Sequence, residues 1–241
     1  RMNQFRLVFQ LEKSFLPKSL DSLMISFFKA ATSRYSEEFN RKLYDKSQSI
    51  MKSYTFSYYL PNARFQQERI LLGTPCFEVF FSDADLAESI QFLNSFKTMY
   101  GQKYPIRCNS MTLVAINAQK QREIKDTEIV IKMLSSLVVR RHNSLDNSDV
   151  YFTYQNEEFE KALKENIDYM VNKLNVPVST EGFSIVPIKG KKVVQKIFDH
   201  MVDANIGIYK LKGKPELLNY LYLAGMGSRR SEGHGKFEIL M

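Results

Sequence analysis

A glycine-rich stretch near the C-terminus has the residue types and spacing of a phosphate-binding loop. It holds four glycines and two arginines in the order Gly225-Met226-Gly227-Ser228-Arg229-Arg230-Ser231-Glu232-Gly233-His234-Gly235. Glycine tolerates positive φ, so its backbone N–H groups can approach and cradle phosphate oxygens, and arginine adds bidentate charged donors. No Lys-Ser or Lys-Thr follows the last glycine, and the stretch runs from a predicted helix to a predicted strand, which excludes a Walker loop and a dinucleotide fingerprint. The alternative interpretation is a flexible surface hairpin.

Two further groups of cationic side chains lie in the second half of the chain. One is the pair Arg140 and Arg141, followed by His142. The other is a predicted hairpin that carries Lys189, Lys191, Lys192 and Lys196. Because alternate residues of a strand share a face, we expect Lys192 and Lys196 to lie together, on the face that Lys191 does not occupy. Both groups are candidates for contact with a polyanion, and an ordinary solvated surface is the alternative.

The distribution of charge along the chain favours a polyanionic partner. The formal net charge is +8, with ten Lys and Arg against five Asp and Glu in residues 1–60, fourteen against sixteen in residues 61–184, and ten against five in residues 185–241. Clustered positive charge attracts a phosphate backbone and releases its counterions on binding. We therefore expect two basic patches that converge on one polyanion, although an excess of lysine also serves solubility.

Composition bounds the class of protein. With 241 residues, 44% of them hydrophobic, the chain is long enough to bury one or two cores. The longest apolar run, around residues 217–224, is too short to cross a membrane, and no secretory signal is visible, so we expect a cytoplasmic protein without a membrane partner. Two cysteines and three scattered histidines do not make a four-ligand zinc site of ordinary spacing, and we expect neither a metal nor a cofactor.

Hydrophobic periodicity predicts the elements that must position these residues. In the first half it predicts a strand at Phe5–Leu11, a helix at Pro17–Leu43, strands at Ser53–Leu60, Phe65–Leu72 and Cys76–Phe81, a helix through Tyr100, and a strand at Ile106–Ile116. The order recurs as a strand at Glu128–Arg140, a polar loop at Ser144–Ser148, a helix at Glu157–Lys173, strands at Phe183–Ile188 and Lys191–Ile197 paired around Lys189-Gly190, a strand at Ile206–Leu211, a helix at Pro215–Ala224 and a strand at Phe237–Leu240. This is an α+β fold of two tandem ferredoxin-like (RRM-like) domains, residues 1–120 and 126–241.

The glycine-rich stretch and its setting resemble a known family. A helix that ends in Gly-x-Gly, a short basic stretch, and a second Gly-x-Gly before the last strand is similar to the C-terminal signature of the CRISPR-associated repeat-RNA endoribonucleases, the Cas-six family. Further landmarks stand in the family's order: Phe5-Arg6-Leu7, Tyr54-Thr55-Phe56-Ser57, Leu134–Arg140, and Glu158-Phe159 to Asn166. The resemblance covers essentially the whole chain.

The resemblance implies a metal-independent endoribonuclease that cuts CRISPR precursor transcripts within the repeat. In such enzymes the 2′-OH next to the scissile phosphate attacks it and leaves a 2′,3′-cyclic phosphate and a 5′-OH. The family's lysine falls on Lys52, its histidine position on Tyr44, and its helical tyrosine near Phe28. The implied partner is CRISPR repeat RNA, with a CRISPR effector complex as a further candidate; a monomer and a homodimer both stay open.

The chain departs from the family at its usual catalytic histidine. No histidine occurs between residues 1 and 141, so a group that titrates near neutral pH is missing there. Cations can instead stabilise the charge that develops on the phosphate, and Arg41 and Lys46 stand near enough to Tyr44 to lower the pKa of its hydroxyl. We therefore name Lys52, Tyr44, Lys46 and Arg41 as catalytic candidates. The alternatives are a solvent-exposed lysine, a packing tyrosine and ordinary surface charge.

The same resemblance extends the candidate RNA contacts. It favours the glycine-rich stretch, at Gly225, Gly227, Arg229, Arg230, Gly233, His234 and Gly235, together with Lys191, Lys192, Lys196, Arg140 and Arg141. A second hypothesis is a relative that binds repeat RNA with weak or no cleavage. A third is a generic RNA-binding protein of the RRM type, which fits less well because no strand of the Lys/Arg-Gly-Phe/Tyr type is present.

Overall fold

The chain folds into two units in the computed structural model, which describes residues 2–197 and 199–241. The first unit comprises residues 1–50 and 57–121, and the second comprises residues 51–56 and 122–241. The division falls at residue 121, inside the stretch where the sequence predicts the join. It also assigns the short segment Met51–Phe56, which carries Lys52, to the second unit, whereas the sequence prediction placed Lys52 in the first domain.

The first unit is built on a five-stranded sheet. Its elements are β1 (Gln4–Leu11), β2 (Phe15–Pro17), α1 (Leu20–Tyr35), α2 (Glu37–Tyr44), the second half of β3 (Tyr54–Tyr59), β4 (Arg64–Phe65), β5 (Arg69–Leu71), β6 (Cys76–Asp83), α3 (Leu86–Met99), β7 (Lys103–Ile106) and β8 (Asn109–Ala118). The strand order is β3-β6-β1-β8-β7. Apart from β7, this is the order of a ferredoxin-like βαββαβ unit, with its first and third strands in the centre.

Aromatic packing forms the core of the first unit. Phe28 of α1 is fully buried, with its ring centroid 5.6 Å from that of Phe81 on β6 and 5.8 Å from that of Phe96 on α3. Phe9 on β1 stacks on Phe77 at 5.0 Å. The hydrophobic side chains that gave the helical and strand periods are thus the ones that hold α1 and α3 on the sheet.

The second unit repeats the topology with a four-stranded sheet. Its elements are β9 (Glu128–Met133), β10 (Val139–Asn143), β11 (Ser148–Phe152), α4 (Phe159–Lys173), β12 (Ser184–Ile197), β13 (His200–Lys212), α5 (Pro215–Ala224), a short 3₁₀ helix (Arg230–Glu232) and β14 (Phe237–Ile239). The sheet order is β12-β13-β9-β14. The first and third strands are again central, so the prediction of tandem ferredoxin-like domains is confirmed.

The predicted helix Pro17–Leu43 is two helices. Ser36 has an extended backbone, with φ −163°, and its hydroxyl accepts a hydrogen bond from the N–H of Phe39 at 3.1 Å. A serine followed by Glu37 and Glu38 is a typical start of a new helix, because its side chain caps the first turn and the carboxylates complement the helix dipole.

The position of the lysine-bearing hairpin differs from the prediction. Lys189 and Gly190 do not form a turn but lie within the long strand β12, which pairs with β13 from Ser184 opposite Lys212 to Ile197 opposite His200. The register shifts between Pro187 and Lys189. The extra residue of the bulge is Ile188, while Gly190 pairs regularly with Gly207. A Cβ on Gly190 would lie 2.7 Å from the Tyr154 ring, so the close approach of this ring, and not a turn, explains the glycine. β12 ends at Ile197 and β13 begins at His200. Phe198 lies outside the described residues.

Two other predicted strands are also divided. The strand predicted for Glu128–Arg140 ends at Met133; the chain then forms single bridges from Leu137 to Asn205 and from Val138 to Ser228, and β10 pairs with β11 instead of extending β9. The loop predicted at Ser144–Ser148 is the turn of that hairpin. The strand predicted for Phe65–Leu72 consists of β4 and β5, which join β2 in a small separate sheet.

Within the described ranges, no helix combines the length and the apolar character that a membrane crossing requires.

Candidate functional site

The glycine-rich stretch from Gly225 to Gly235 is a buried part of the second unit. It starts where α5 ends, with Gly225 as the C-terminal cap of the helix at φ +77°. Met226 is fully buried, and His234 and Arg230 are 4% and 5% exposed. The stretch is therefore not the flexible surface hairpin that was the alternative interpretation.

The backbone N–H groups of this stretch donate to carbonyl groups of the protein itself. The N–H of Gly225 donates to Leu221 O at 2.8 Å, that of Gly233 to Arg230 O at 3.2 Å, and that of Gly235 to Ser136 O at 2.9 Å. The phosphate cradle expected from the glycines is thus not formed by these three groups. RNA contact by Gly225, Gly227, Gly233 and Gly235 stays a prediction. The N–H groups of Gly225, Gly233 and Gly235 already donate within the protein and do not support it.

Close approach of main chain explains two of the glycines. A Cβ on Gly235 would lie 2.0 Å from Met226 O, and one on Gly227 would lie 2.5 Å from Val138 O. Both residues also have positive φ, at +82° and +87°. Each position therefore excludes a side chain on steric and conformational grounds.

The guanidinium of Arg230 holds the segment that carries Lys52. Its Nη1 donates to Ala224 O at 2.8 Å, and its Nη2 donates to Lys52 O at 2.6 Å and lies 3.2 Å from Met51 Sδ. Because a buried cation is stable only with well-placed acceptors, these contacts fix the main chain at Lys52 against the end of α5.

A second link joins the same two segments three residues further on. Thr55 Oγ1 donates to His234 O at 2.8 Å. The His234 ring lies with Nδ1 2.9 Å from Ser136 Oγ, which in turn donates to Gln195 Oε1 at 2.5 Å. His234 is thus held within the second unit by both its main chain and its ring.

The structure places the four catalytic candidates in different units. Lys52 is half-buried in the segment of the second unit held by Arg230. Tyr44, at the end of α2, is half-buried, with Lys29 Nζ 5.7 Å from its ring centroid; Arg41 and Lys46 are exposed. The carboxylate of Asp45 accepts hydrogen bonds from the hydroxyl and N–H of Ser47, which lower its pKa, with a smaller contribution from Arg41. Arg41, one of the two cations expected to lower the pKa of Tyr44, therefore also interacts with the Asp45 carboxylate.

The basic hairpin strand presents its lysines to solvent. Lys191, Lys192 and Lys196 are all exposed. Lys192 lies opposite Asn205 and Lys196 opposite Met201, so the two share a face, while Lys191 pairs with Ile206 on the other. Among the residues that the structure describes, none of these three lysines forms an ion pair.

The Arg-Arg-His group on β10 is neutralised by acidic neighbours. Arg141 pairs with Glu165 at 2.9 Å and with Glu158 at 3.0 Å. Asp149 on β11 lies 3.7 Å from Arg140 and 2.8 Å from the His142 ring. Arg229 likewise pairs with Glu232 at 3.5 Å. An RNA phosphate would have to compete with these carboxylates, so the charge of these residues contributes less than the sequence suggests.

Sequence reasoning missed Lys236, which follows the last glycine. Its side chain is 3% exposed, and burial lowers its pKa from 10.5 to about 7. The signal in the sequence is its position between Gly235 and the buried Phe237, at the start of β14. A lysine there must enter the interior or a strand edge, and it is one of the few groups in the chain that exchange a proton near neutral pH.

Comparison with known proteins links these features to one family. The family model "CRISPR associated protein Cas6, C-terminal" matches residues 119–239, about half of the chain. The product of a Cas6-related gene from Pyrococcus furiosus has a TM-score of 0.86 at 15% identity, with 99% of this chain and 98% of that chain covered. A RAMP protein binding different RNA substrates has a TM-score of 0.84 at 15% identity, covering 99% and 100%. A Cas6 product complex has 0.71 at 14% identity, covering 99% of each chain. A comparison with curated proteins finds no similar sequence.

The glycine positions predict a difference between two substitutions. Gly235→Ala adds a Cβ against Met226 O and keeps positive φ, so we expect it to lower the free energy of unfolding by about 2–4 kcal/mol. Gly101→Ala is the control, because Gly101 has φ +74° with nothing within 4 Å of the added Cβ; we expect a loss of about 1–2 kcal/mol. Urea unfolding measures both, and equal losses would contradict the steric explanation.

Removal of the Arg230 guanidinium should destabilise the second unit. In Arg230→Met the carbonyl groups of Ala224 and Lys52 lose a buried charged donor, and we expect a loss of about 2–4 kcal/mol. Arg229→Met, which removes a half-buried ion pair with Glu232 and a hydrogen bond with Tyr151, should lose about 1 kcal/mol. Chemical denaturation of both variants measures the difference, and Arg230→Met as stable as Arg229→Met would show that the clamp contributes little.

The depressed pKa of Lys236 predicts a pH-dependent stability. The unfolded chain binds the proton up to pH 10.5 and the folded chain only up to about 7, so wild type should gain stability over Lys236→Met as pH rises between these values. The gain is about 1.4 kcal/mol per pH unit, and the variant should be the more stable protein below pH 7. Urea unfolding across this range measures it, with Lys132→Met, at an exposed site, as control. Parallel pH curves for wild type and Lys236→Met would refute the shift.

Proposed function

The chain belongs to the Cas6 family of CRISPR-associated proteins, and we propose that it binds CRISPR repeat RNA and cuts it within the repeat. The family consists of RNA-cleaving enzymes, and its C-terminal model covers most of the second unit. Among the proteins of the same fold, one binds different RNA substrates and another is a product complex. These comparisons support an RNA ligand for this chain.

The observation that carries the proposal is the connection between Lys52 and the glycine-rich stretch. The two are far apart in the sequence: Lys52 and Arg230, which are in contact, are separated by 178 residues. The clamp of Arg230 and the hydrogen bond from Thr55 to His234 O build them into one unit of structure. Because the main chain at Lys52 is already fixed, only the rotamers of its side chain remain to be ordered when a phosphate binds, which lowers the entropic cost of charge stabilisation.

We infer a metal-independent transesterification. The 2′-oxygen next to the scissile phosphate forms a bond to phosphorus, and the bond from phosphorus to the 5′-oxygen breaks, which leaves a 2′,3′-cyclic phosphate and a 5′-OH. The 2′-hydroxyl loses a proton and the departing 5′-oxygen gains one. We assign the Lys52 ammonium to the charge that develops on the non-bridging oxygens. Tyr44 is the candidate proton acceptor, with Arg41 and Lys46 as the cations that favour its ionised form.

We assign RNA binding mainly to the exposed face of β12. Lys192 and Lys196 share that face, and Lys191 stands beside it on the other. Their ammonium groups can contact phosphates without displacing a described carboxylate. Arg140, Arg141 and Arg229 would each exchange a carboxylate for a phosphate, and Arg230 and His234 support the site through their internal contacts.

A second candidate function is repeat-RNA binding without cleavage. It is favoured by Phe28 and Tyr44, which occupy the positions where the family resemblance implies a tyrosine and a histidine. Phe28 is fully buried among Phe81, Phe92 and Phe96 and has no proton to transfer. Cleavage by this chain therefore depends on Lys52, on Tyr44 as the proton acceptor and on the alignment of the 2′-hydroxyl.

Lys52→Ala tests the enzymatic assignment. With labelled CRISPR repeat RNA in EDTA, wild type should cut at one site and leave a cyclic phosphate. The variant should cut about 100- to 1000-fold more slowly, because a charged donor to the transition state is lost, with repeat affinity changed less than about threefold. Lys173→Ala, at an exposed position at the end of α4, is the matched control.

The same assay separates the two candidate functions. Site-specific cleavage that is lost in EDTA would overturn the metal-independent chemistry, and a Lys52→Ala protein as fast as wild type would overturn the role of Lys52. Tight binding of the repeat but not of a scrambled RNA, with no cut, would establish the binding function instead.

A further inference from the structure

The small sheet of the first unit carries a basic and aromatic surface that no part of the proposed site uses. The sheet has the order β2-β5-β4, with Phe15 opposite Leu71 and Phe65 opposite Ile70. Leu16 and Ile70 are buried and anchor the sheet to the unit. We call the remaining side chains the β4 patch, which consists of Phe15, Lys18, Arg64, Phe65 and Arg69.

Phe65 is the central feature of the β4 patch. It lies on the edge strand β4, and its side chain is 64% exposed. Lys18 Nζ lies 5.4 Å from the ring centroid and donates a hydrogen bond to Gln66 O at 2.8 Å, so the ammonium is held beside the ring by the turn between β4 and β5. An exposed aromatic ring with a fixed cation at its side offers a stacking surface and a phosphate contact together.

A second pair of the same kind stands on the neighbouring strands. The guanidinium of Arg69 lies 5.1 Å from the ring centroid of Phe15, which is half-buried on β2. Strand alternation puts Arg64, opposite Leu71, on the same face as Phe15 and Arg69, and it puts Phe65, opposite Ile70, on the other face. The two aromatic–cation pairs therefore lie on opposite faces of the small sheet, and Phe65 with Lys18 is the more exposed of the two.

The cations of the β4 patch are not neutralised by carboxylates. Of the ion pairs among residues 2–197 and 199–241, none involves Lys18, Arg64 or Arg69. Glu68 stands in the turn between the strands and is exposed. In contrast, Arg140 and Arg141 on β10 both face acidic partners. The positive charge of the β4 patch is therefore available to an external anion.

We propose that the β4 patch binds a single-stranded segment of RNA, with one base stacked on Phe65 and an adjacent phosphate contacted by Lys18. A single strand is required because a base inside a duplex is already stacked on both faces and cannot reach the ring. The inference rests on the proposed function in one respect, that CRISPR precursor RNA supplies the single strand. The patch adds a contact outside the cleavage residues, so it serves to hold RNA that flanks the cut.

Substitution of Phe65 in the full chain tests the stacking. Affinity is measured for a labelled oligoadenylate, for an RNA hairpin duplex of equal length, and for the labelled repeat. Phe65→Leu keeps an apolar side chain but has no π face, and we expect about 5- to 30-fold weaker binding of the single strand. Phe65→Trp should retain or increase affinity. Tyr100→Leu, at an aromatic side chain of the same unit that is 55% exposed, is the matched control and should bind as wild type.

The outcomes separate this inference from the proposed function. Loss of oligoadenylate affinity in Phe65→Leu, with restoration in Phe65→Trp and little change for the duplex, supports the patch even if the repeat is not preferred over a scrambled RNA. Equal binding of the single strand by wild type and Phe65→Leu overturns the patch, even if the repeat is cut as proposed. An equal loss on single strand and duplex also overturns it, because stacking would then not be the cause.

The cationic half of the inference has its own measurement. Lys18→Gln should reduce the slope of log affinity for oligoadenylate against log salt concentration by about 0.7, the value for one phosphate contact on a single strand. Lys97→Gln, in the last turn of α3, is the control and should leave the slope unchanged. An unchanged slope in Lys18→Gln would contradict the phosphate contact.

Discussion

The buried guanidinium of Arg230 is the interaction on which the candidate site depends. Removing a cation from water costs several kcal/mol unless acceptors replace its hydration, and here the acceptors are two main-chain carbonyl groups and a sulfur. They come from the end of α5 and from the segment before β3. The position of Lys52 is therefore determined by the requirement to satisfy a charge on a distant part of the chain. The left-handed backbone of Arg229 and Gly233, on either side of the 3₁₀ helix, sets the place of that charge.

The role of the glycines follows from this arrangement. The stretch must turn back on itself within a few residues, with the main chain of Gly235 and Gly227 close to other carbonyl groups. The amides of Gly225, Gly233 and Gly235 donate to carbonyl groups of the protein, so these glycines provide the space in which the contacts of Arg230 form. A phosphate-binding loop and a tightly folded structural loop share the same composition, because both need positive φ and close approach of the backbone. What distinguishes them is where the N–H groups donate.

The sequence predicts those features that depend on local pattern. Periodicity and element order were enough for the tandem ferredoxin-like fold, because strands such as β1 and helices such as α5 carry regular apolar faces. Gly190 led to a wrongly predicted turn, since a glycine within a strand also marks a close approach, here that of the Tyr154 ring. The contacts of the site depend instead on pairs far apart in sequence. Neither the clamp between Arg230 and Lys52 nor the neutralisation of Arg141 by Glu165 has a local signature.

These pairings change the meaning of the net charge of +8. Arg140 and Arg141 form ion pairs with carboxylates on β11 and α4, and Arg229 forms one with Glu232. Arg230 is buried and does not face the solvent. Lys191, Lys192 and Lys196 of β12 and Lys18 of the β4 patch are exposed and form none of the ion pairs found among the described residues. Since counterion release depends on cations that have no closer anion, we expect these two surfaces to contribute to RNA affinity. The glycine-rich stretch, which first suggested a phosphate ligand, instead fixes the main chain at Lys52 through the hydrogen bond from Arg230.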